Sequence, residues 1–280
     1  MGDENSPLFG RDVGESVASA WERYRERVFE SWRPVSEWLV ERVDPAPGHV
    51  ILELAAGPGE TGFLLAERLA PHGRLISTDL AEAMVAAARR GAEARGLTNV
   101  EFRTVDAQAI DLPDASVDGV LCRFGLMLVP DPAKAFSEVR RVLRPGARLA
   151  YSVFSGPDRN PFLTLLVRAF LEHGHTLPGD PFGPGGPFSL ADPETNRAML
   201  EQAGFTVVSV EEMPATMHYE TLDDYWEMQT AIGGPLAALA AALPREEEAA
   251  IKATLAAIAG PFERGGAYDM PCVAVGVAAT

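Results

Sequence analysis

The sequence predicts a doubly wound α/β fold, a mostly parallel sheet wrapped by helices. Three observations predict it. Strand-like and helix-like patterns alternate from residue 50 to 154. The apolar run Val50-Ile51-Leu52 leads into a turn at Gly57 and Gly59 that opens a helical pattern, Thr61 to Leu69. Acids close three successive strands: Glu53, Asp79 and Asp106.

Each element has its own signal. Trp21, Tyr24 and Val28 share a face at three- and four-residue spacing, which predicts a helix over 12–42, broken or restarted at Pro34. Strands are expected at 50–55, 74–79, 100–105, 117–123 and 147–154, and helices at 60–70, 81–95 and 131–143. Asp131-Pro132 caps and starts the last of these, and Arg144-Pro145-Gly146 stops it. A helix at 161–173 then precedes a Pro- and Gly-rich stretch, 177–189, which reads as a surface loop or lid. A helix at 193–203, a strand at 205–213, helices at 221–231 and 246–259 and an apolar strand at 271–278 complete the chain. The alanine-rich stretch 236–242 has no assignment. The expected sheet has seven strands. Residues 1–44 form an N-terminal helical lid, 45–154 the core, 155–204 a helical cap insertion and 205–280 the completion of the sheet.

Composition narrows the function. Lysines and arginines number 24 against 40 aspartates and glutamates, a net charge of −16. That field repels phosphates and argues against a nucleic-acid partner. The one dense basic run, Arg140, Arg141 and Arg144, lies in an amphipathic pattern and reads as a solvated helix face. No stretch nears the roughly 18 apolar residues of a membrane span. The acidic N-terminus does not read as a secretory signal, and Gly2 alone is a weak lipidation motif. Two cysteines, Cys122 and Cys272, are too few for a disulfide framework, so a reducing, cytoplasmic setting is expected. His173 and His175, two residues apart, cannot define a metal site, and no metal is expected.

Glycines at a strand-to-helix turn let a ligand approach the backbone. In an open parallel sheet, ligands bind beyond the carboxyl ends of the strands, where the three acids stand. Asp79 follows Gly59 by twenty residues, the spacing of an acid that accepts from ribose hydroxyls. Gly57-x-Gly59-x-x-Gly62 with Asp79 also fits a dinucleotide fingerprint, which keeps an NAD(P)-dependent oxidoreductase open. Glu53 counts against it, because it adds negative charge beside a pyrophosphate.

Five motifs follow in order over about residues 45–155. They are the glycine turn, Thr78-Asp-Leu-Ala-Glu-Ala-Met84, Val105-Asp-Ala107, Leu112-Pro-Asp-Ala-Ser-Val-Asp-Gly-Val120 and Glu138-Val-Arg-Arg-Val-Leu-Arg-Pro-Gly-Ala-Arg-Leu149. Together they resemble the class I S-adenosylmethionine-dependent methyltransferases, in the small-molecule branch of the ubiquinone and menaquinone biosynthesis enzymes. The resemblance implies a Rossmann-like fold with one antiparallel strand in the last pair. It implies S-adenosyl-L-methionine as cofactor and a small-molecule methyl acceptor, quinone-like or a secondary metabolite. It also implies roles. The backbone at Ala55, Gly57 and Gly59 would line the methionine part, and Glu53 would face the ammonium. Asp79 would hold the ribose, with Leu80 and Met84 on the adenine. Asp106 and the Ala107 amide would read the adenine edge, and Arg123 and Phe124 would sit beside cofactor and acceptor. Ala55 departs from the glycine that the family usually places there. A regulator that binds the cofactor without catalysis stays open, as does a homodimer.

Direct displacement needs alignment and a dry pocket, but no protein nucleophile. An acceptor that must lose a proton would need a base, and His173, His175, His218 and Tyr219 are the candidates. Trp21, Trp32 and Trp38 pack on the core or form a lid in which Tyr24 touches the cofactor. Phe154, Phe162, Leu163, Leu166 and Phe170 form a cap over the acceptor or ordinary core.

Overall fold

The structure, a computed structural model, describes residues 8–280. Gly2 and the first residues of the lid segment lie outside the described residues. β1 (Val50–Glu53), β2 (Arg74–Asp79), β3 (Val100–Thr104), β4 (Val117–Arg123) and β5 (Leu143–Phe154) are parallel. β8 (Ala267–Ala279) runs antiparallel to β5 and to the edge strand β6 (Val207–Tyr219). The order is β3-β2-β1-β4-β5-β8-β6, and the two-residue β7 (Glu263–Arg264) pairs with β8. Chain order reverses between β1 and β4, so a crevice opens above their carboxyl ends. β1 is apolar on both faces because both are covered; Ile51 and Leu52 are fully buried.

α1 (Arg11–Val43), α2 (Glu60–Arg68) and α3 (Glu82–Ala94) pack against one another. α4 (Pro132–Val142) and α6 (Pro193–Gln202) pair across Tyr151, whose ring meets Phe136 and whose hydroxyl donates to Asn196. α5 (Pro161–Glu172) packs on α9 (Arg245–Ala259), and α7 (Leu222–Ile232) on α8 (Pro235–Ala242). Asp131 caps α4 by accepting the Lys134 amide at 3.0 Å. α3 is capped from outside. Its N-cap, Ala81, has no side-chain oxygen, and Glu15 of α1 accepts the Glu82 and Ala83 amides at 2.6 and 3.1 Å.

Three expectations are corrected, and one unassigned stretch is resolved. Pro34 does not break the first helix; α1 runs unbroken through it. An interior proline costs about 3 kcal/mol. Trp32, Val35, Trp38 and Leu39 around it are all buried, at about 1.5–3 kcal/mol for each large side chain, and that outweighs the loss. α4 stops before Arg144-Pro145-Gly146 as expected, but the fifth strand starts earlier than residue 147. Leu143 already pairs with Val117, and a register shift before Gly119 absorbs the three residues into β5. β6 and β8 outrun their expected ends because they pair with each other from Val207 to Tyr219, and Pro214 is tolerated on an edge strand. The alanine-rich stretch is helix α8, with Pro235 in its first turn.

α1 lies close on the sheet because Gly276 of β8 offers no side chain. A Cβ there would stand 2.7 Å from Trp38 Cζ3 and 2.7 Å from Met213 Cε. Gly276→Ala is expected to lower the unfolding free energy by about 1–3 kcal/mol in urea denaturation. An unchanged midpoint would mean that α1 is free to shift.

Candidate functional site

A cavity of about 440 Å³ opens over the carboxyl ends of the strands. Its floor is the β1–α2 turn, from Leu54 to Pro58, flanked by Asp79, Asp106 and Arg123. Val13, Gly14 and Val17 of α1 wall one end, and Trp32, Phe124, Phe154 and Phe162 the other.

Glu53 ties the floor together. Its carboxylate accepts the Gly62 amide at 2.8 Å and the Ser77 hydroxyl at 3.1 Å, linking β1 to α2 and β2. Burial pushes its pKa up to about 8, against the hydrogen bonds from Ser77 and Gly62. The first turn of α2 is therefore occupied by an acid. Glu60 beside it is buried as well, near Arg25 at 3.7 Å and Arg95 at 3.4 Å. A diphosphate would need the same amides and would have to displace the Glu53 side chain from them, which disfavours the dinucleotide alternative.

The turn itself is left-handed at Ala55 (φ +50°), Gly57 (φ +54°) and Gly59 (φ +94°). Asp79 accepts the Gly57 amide at 2.9 Å and the Ala81 amide at 3.0 Å. The Leu80 amide also acts on it, and a carboxylate offers about four acceptor sites, so acceptor capacity remains for a ligand. Burial raises the pKa of Asp79. Asp106 accepts from the amide and side chain of Gln108 at 2.8 and 3.2 Å. Leu80, Met84 and Ala107 complete this end of the cavity.

Arg123 lines the cavity at the end of β4, with its Nη1 sealed from solvent and without a hydrogen-bond partner. Phe124 next to it holds a left-handed backbone (φ +60°). Such strain persists only where surroundings enforce it. Here Phe154 stacks on the Phe124 ring at 4.4 Å and Trp32 meets it edge-on at 4.7 Å. Phe162 extends the wall at 5.6 Å from Phe154.

Ten of the expected cofactor residues thus converge on one cavity: Glu53, Ala55, Gly57, Asp79, Leu80, Met84, Asp106, Ala107, Arg123 and Phe124. Two do not. Gly59 is the left-handed N-cap of α2, packed under Phe63, and Tyr24 lies outside the lining under Arg23. The base candidates also lie outside it. His173 faces Thr254, His175 faces Glu247 and His218 faces Asp269, while Tyr219 is buried and accepts from Gln229. The lining also includes Thr61, Gln108 and Gln229, which no sequence signal singled out. Gly14, an unusual residue inside a helix, could have marked the contact of α1 with the cavity rim, since a Cβ there would meet Ala81 at 2.8 Å.

Arg141 is spent on Glu138 and Asp114, and Arg144 on Asp118. Among the described residues no group of three or more His, Cys, Asp or Glu could hold a metal ion, and no helix is long and apolar enough to cross a membrane.

Comparison with known proteins agrees with this geometry. A family model described as a methyltransferase domain matches residues 51–146. The chain is 38% identical over 167 residues to demethylmenaquinone methyltransferase of Thermus thermophilus, covering 56% of this chain and 74% of that one. It is 28% identical over 171 residues to aklanonic acid methyltransferase of a Streptomyces species, covering 59% and 78%. The crystal structure of the YcgJ protein from Bacillus subtilis shares the fold, with a TM-score of 0.60 at 19% identity, over 88% of this chain and 97% of that one.

Two outcomes are expected of the turn. Glu53 is protonated in the folded state at pH values where the unfolded chain ionises it. The unliganded protein therefore loses stability as pH rises from about 4.5 to about 8, and this contribution levels off above that. Glu53→Gln should flatten that slope in urea denaturation across the window; an unaltered slope would show that Glu53 ionises normally. Ala55 carries its methyl on a left-handed backbone, so Ala55→Gly should raise stability by up to about 1 kcal/mol. A loss in the same measurement would contradict the strain.

Proposed function

The chain belongs to the class I S-adenosylmethionine-dependent methyltransferases, and from that premise we propose how its residues divide the work of methylating an apolar, aromatic acceptor. The activity is methyl transfer from S-adenosylmethionine to a small organic molecule. The observation that carries the division is the cavity's two-sided character: three strand-end acids on one side, an aromatic wall on the other.

The residues fit the cofactor. Gly57 faces open space, where a Cβ would meet nothing within 4 Å, and its backbone offers a cradle together with Ala55. In our reading Glu53 draws the ammonium of the methionine tail. Asp79 holds the ribose hydroxyls with its remaining acceptor capacity. Leu80 and Met84 pack on the adenine, and Asp106 and Ala107 read its edge. Gly59 shapes the turn without touching the ligand. When bound, the cofactor supplies an electrophilic methyl on a positively charged sulfur.

The protein's part is then to align and to exclude water, which together supply on the order of 7–11 kcal/mol in favourable cases. Trp32, Phe124, Phe154 and Phe162 dry the transfer region and present flat apolar faces to a flat acceptor. The lid segment 1–44 contributes through α1 and the cap 155–204 through α5 and the 177–189 loop, from which Phe182 and Phe188 reach the cavity. A quinone-like or secondary-metabolite acceptor suits these walls. The names of the relatives that act on demethylmenaquinone and aklanonic acid support that class. Among the described residues no histidine, lysine, tyrosine or cysteine lines the cavity, which favours an acceptor that needs no strong base. Cys122 and Cys272 are free and buried, and burial pushes both thiols up to about 12. Inert thiols of this kind suit a reducing cytoplasm.

Calorimetry tests the division. S-adenosylhomocysteine should bind and NADH should not. Asp79→Ala should weaken S-adenosylhomocysteine about tenfold to a hundredfold, a larger effect than the stability lost with its bonds to the Gly57 and Ala81 amides. Lost stability with unchanged affinity would make Asp79 a structural residue.

A further inference from the structure

Most uncharged polar side chains on the cavity wall are already engaged inside the protein. Among the described residues that line it, Thr61 meets Ser36 at 3.0 Å, and Gln108 meets Asp106 and the Asp131 amide. Trp21 donates to the Ile232 carbonyl at 3.2 Å, and Thr164 to the Asn160 carbonyl at 3.4 Å. Gln229 Oε1 and Trp32 Nε1 differ. Neither has a partner among the described residues, and neither is sealed from solvent. The Trp32 indole belongs to the flat wall beside Phe124. The Gln229 amide stands elsewhere, on a wall it shares with apolar Met217, Ile232 and Leu236.

The fold builds that wall and fixes the amide in it. β8 pairs with β5 only as far as Ala274, opposite Phe154, but with β6 as far as Tyr268, opposite Tyr219. Residues 214–219 and 268–273 therefore form a two-stranded ribbon that runs about 20 Å past the carboxyl edge of β5. α7 follows the ribbon and is tied to α1 by the Trp21 bond to Ile232 and by the Arg27–Asp224 pair at 2.7 Å. Gln229 is buried on α7, and its Nε2 donates to the Tyr219 hydroxyl of the ribbon at 2.8 Å. The Tyr219 ring is itself held, with Arg27 over it at 4.9 Å and Tyr225 edge-on at 4.9 Å. An amide is planar, so holding its nitrogen aims its oxygen. A buried amide oxygen is costly to leave unpaired, and a leucine of similar size would fill the same apolar wall. Resting on the methyltransferase reading, we infer that Gln229 is a specificity-determining residue, whose Oε1 accepts a hydrogen bond from a hydroxyl of the methyl acceptor. The acceptor is then a flat apolar body with an O–H on the end that faces the ribbon and α7, away from the strand-end acids.

Calorimetry on protein saturated with S-adenosylhomocysteine tests this with three two-ring probes. 2-Naphthol donates a hydrogen bond, 2-methylnaphthalene is its apolar match, and 2-acetonaphthone only accepts. Gln229→Leu should lower the affinity for 2-naphthol relative to 2-methylnaphthalene about threefold to tenfold. The affinity for 2-acetonaphthone relative to 2-methylnaphthalene should not fall. The double variant Gln229→Leu, Tyr219→Phe removes both ends of the internal bond and strands no polar group, so it should show the same loss even where the single variant folds poorly. Tyr219→Phe alone keeps the amide oxygen and should keep part of the naphthol ratio. A Gln229 that only braces Tyr219 would weaken every probe alike, so an unchanged ratio in the double variant overturns the inference. A fall confined to 2-acetonaphthone also overturns it, because the amide would then present its nitrogen. The same holds if protein that has bound S-adenosylhomocysteine takes none of the probes. Failure to bind S-adenosylhomocysteine is a separate result and counts against the underlying reading instead.

Discussion

One buried carboxylate organises the centre of this molecule. Glu53 sits at the end of β1, yet its oxygens are claimed by the amide of Gly62 in α2 and the hydroxyl of Ser77 in β2. Those two bonds set the angle at which α2 leaves the sheet, and with it the path of the turn from Ala55 to Gly59. The helix amino end, which in other α/β proteins offers bare amides to phosphate, is here already filled. The space above the turn is left lined by the acids Glu53, Asp79 and Asp106 rather than by free amides. It suits a ligand with a cationic end. Gly62 makes the arrangement unforgiving: a Cβ there would stand 2.1 Å from Glu53 Oε2.

Much of this was legible in the chain. Glu53, Asp79 and Asp106 end strands by pattern alone, and strand ends on one edge of a parallel sheet must share a crevice. The glycine turn was equally readable, because left-handed backbone leaves a mark in composition. What pattern could not convey was the balance at Pro34. A proline is a local signal, whereas the burial that overrides it comes from strands distant in sequence. The length of β6 and β8 was hidden for a related reason. Their outer halves are held by each other, and β6 alternates exposed and half-buried residues, so neither half reads as a core strand on its own.

The site was legible in its acids and illegible in its bases. His173, His175 and His218 each looked available in a linear reading. The fold supplies each with a partner, Thr254, Glu247 and Asp269, between about fifty and eighty residues away. Nothing local to the histidines announces those partners. Arg123 shows the reverse. The resemblance already set it beside the ligands, and the fold adds that its Nη1 is cut off from water and has no hydrogen-bond partner. Gly59 is a third case. It was expected to line the cofactor, and the fold places it as the left-handed N-cap of α2 over Phe63, outside the cavity lining.

The contact between Glu15 and the start of α3 couples the rim of the cavity to the scaffold. Glu15 belongs to the same helical stretch as Val13 and Val17, which wall the cavity, and it also supplies the acceptors that Ala81 lacks. Swinging that wall aside would hand the amides of Glu82 and Ala83 over to water and cost α3 its cap. Movement of α1 at the cavity rim is thus coupled to the amino end of the helix that carries Met84, so the two walls of this end of the cavity loosen together.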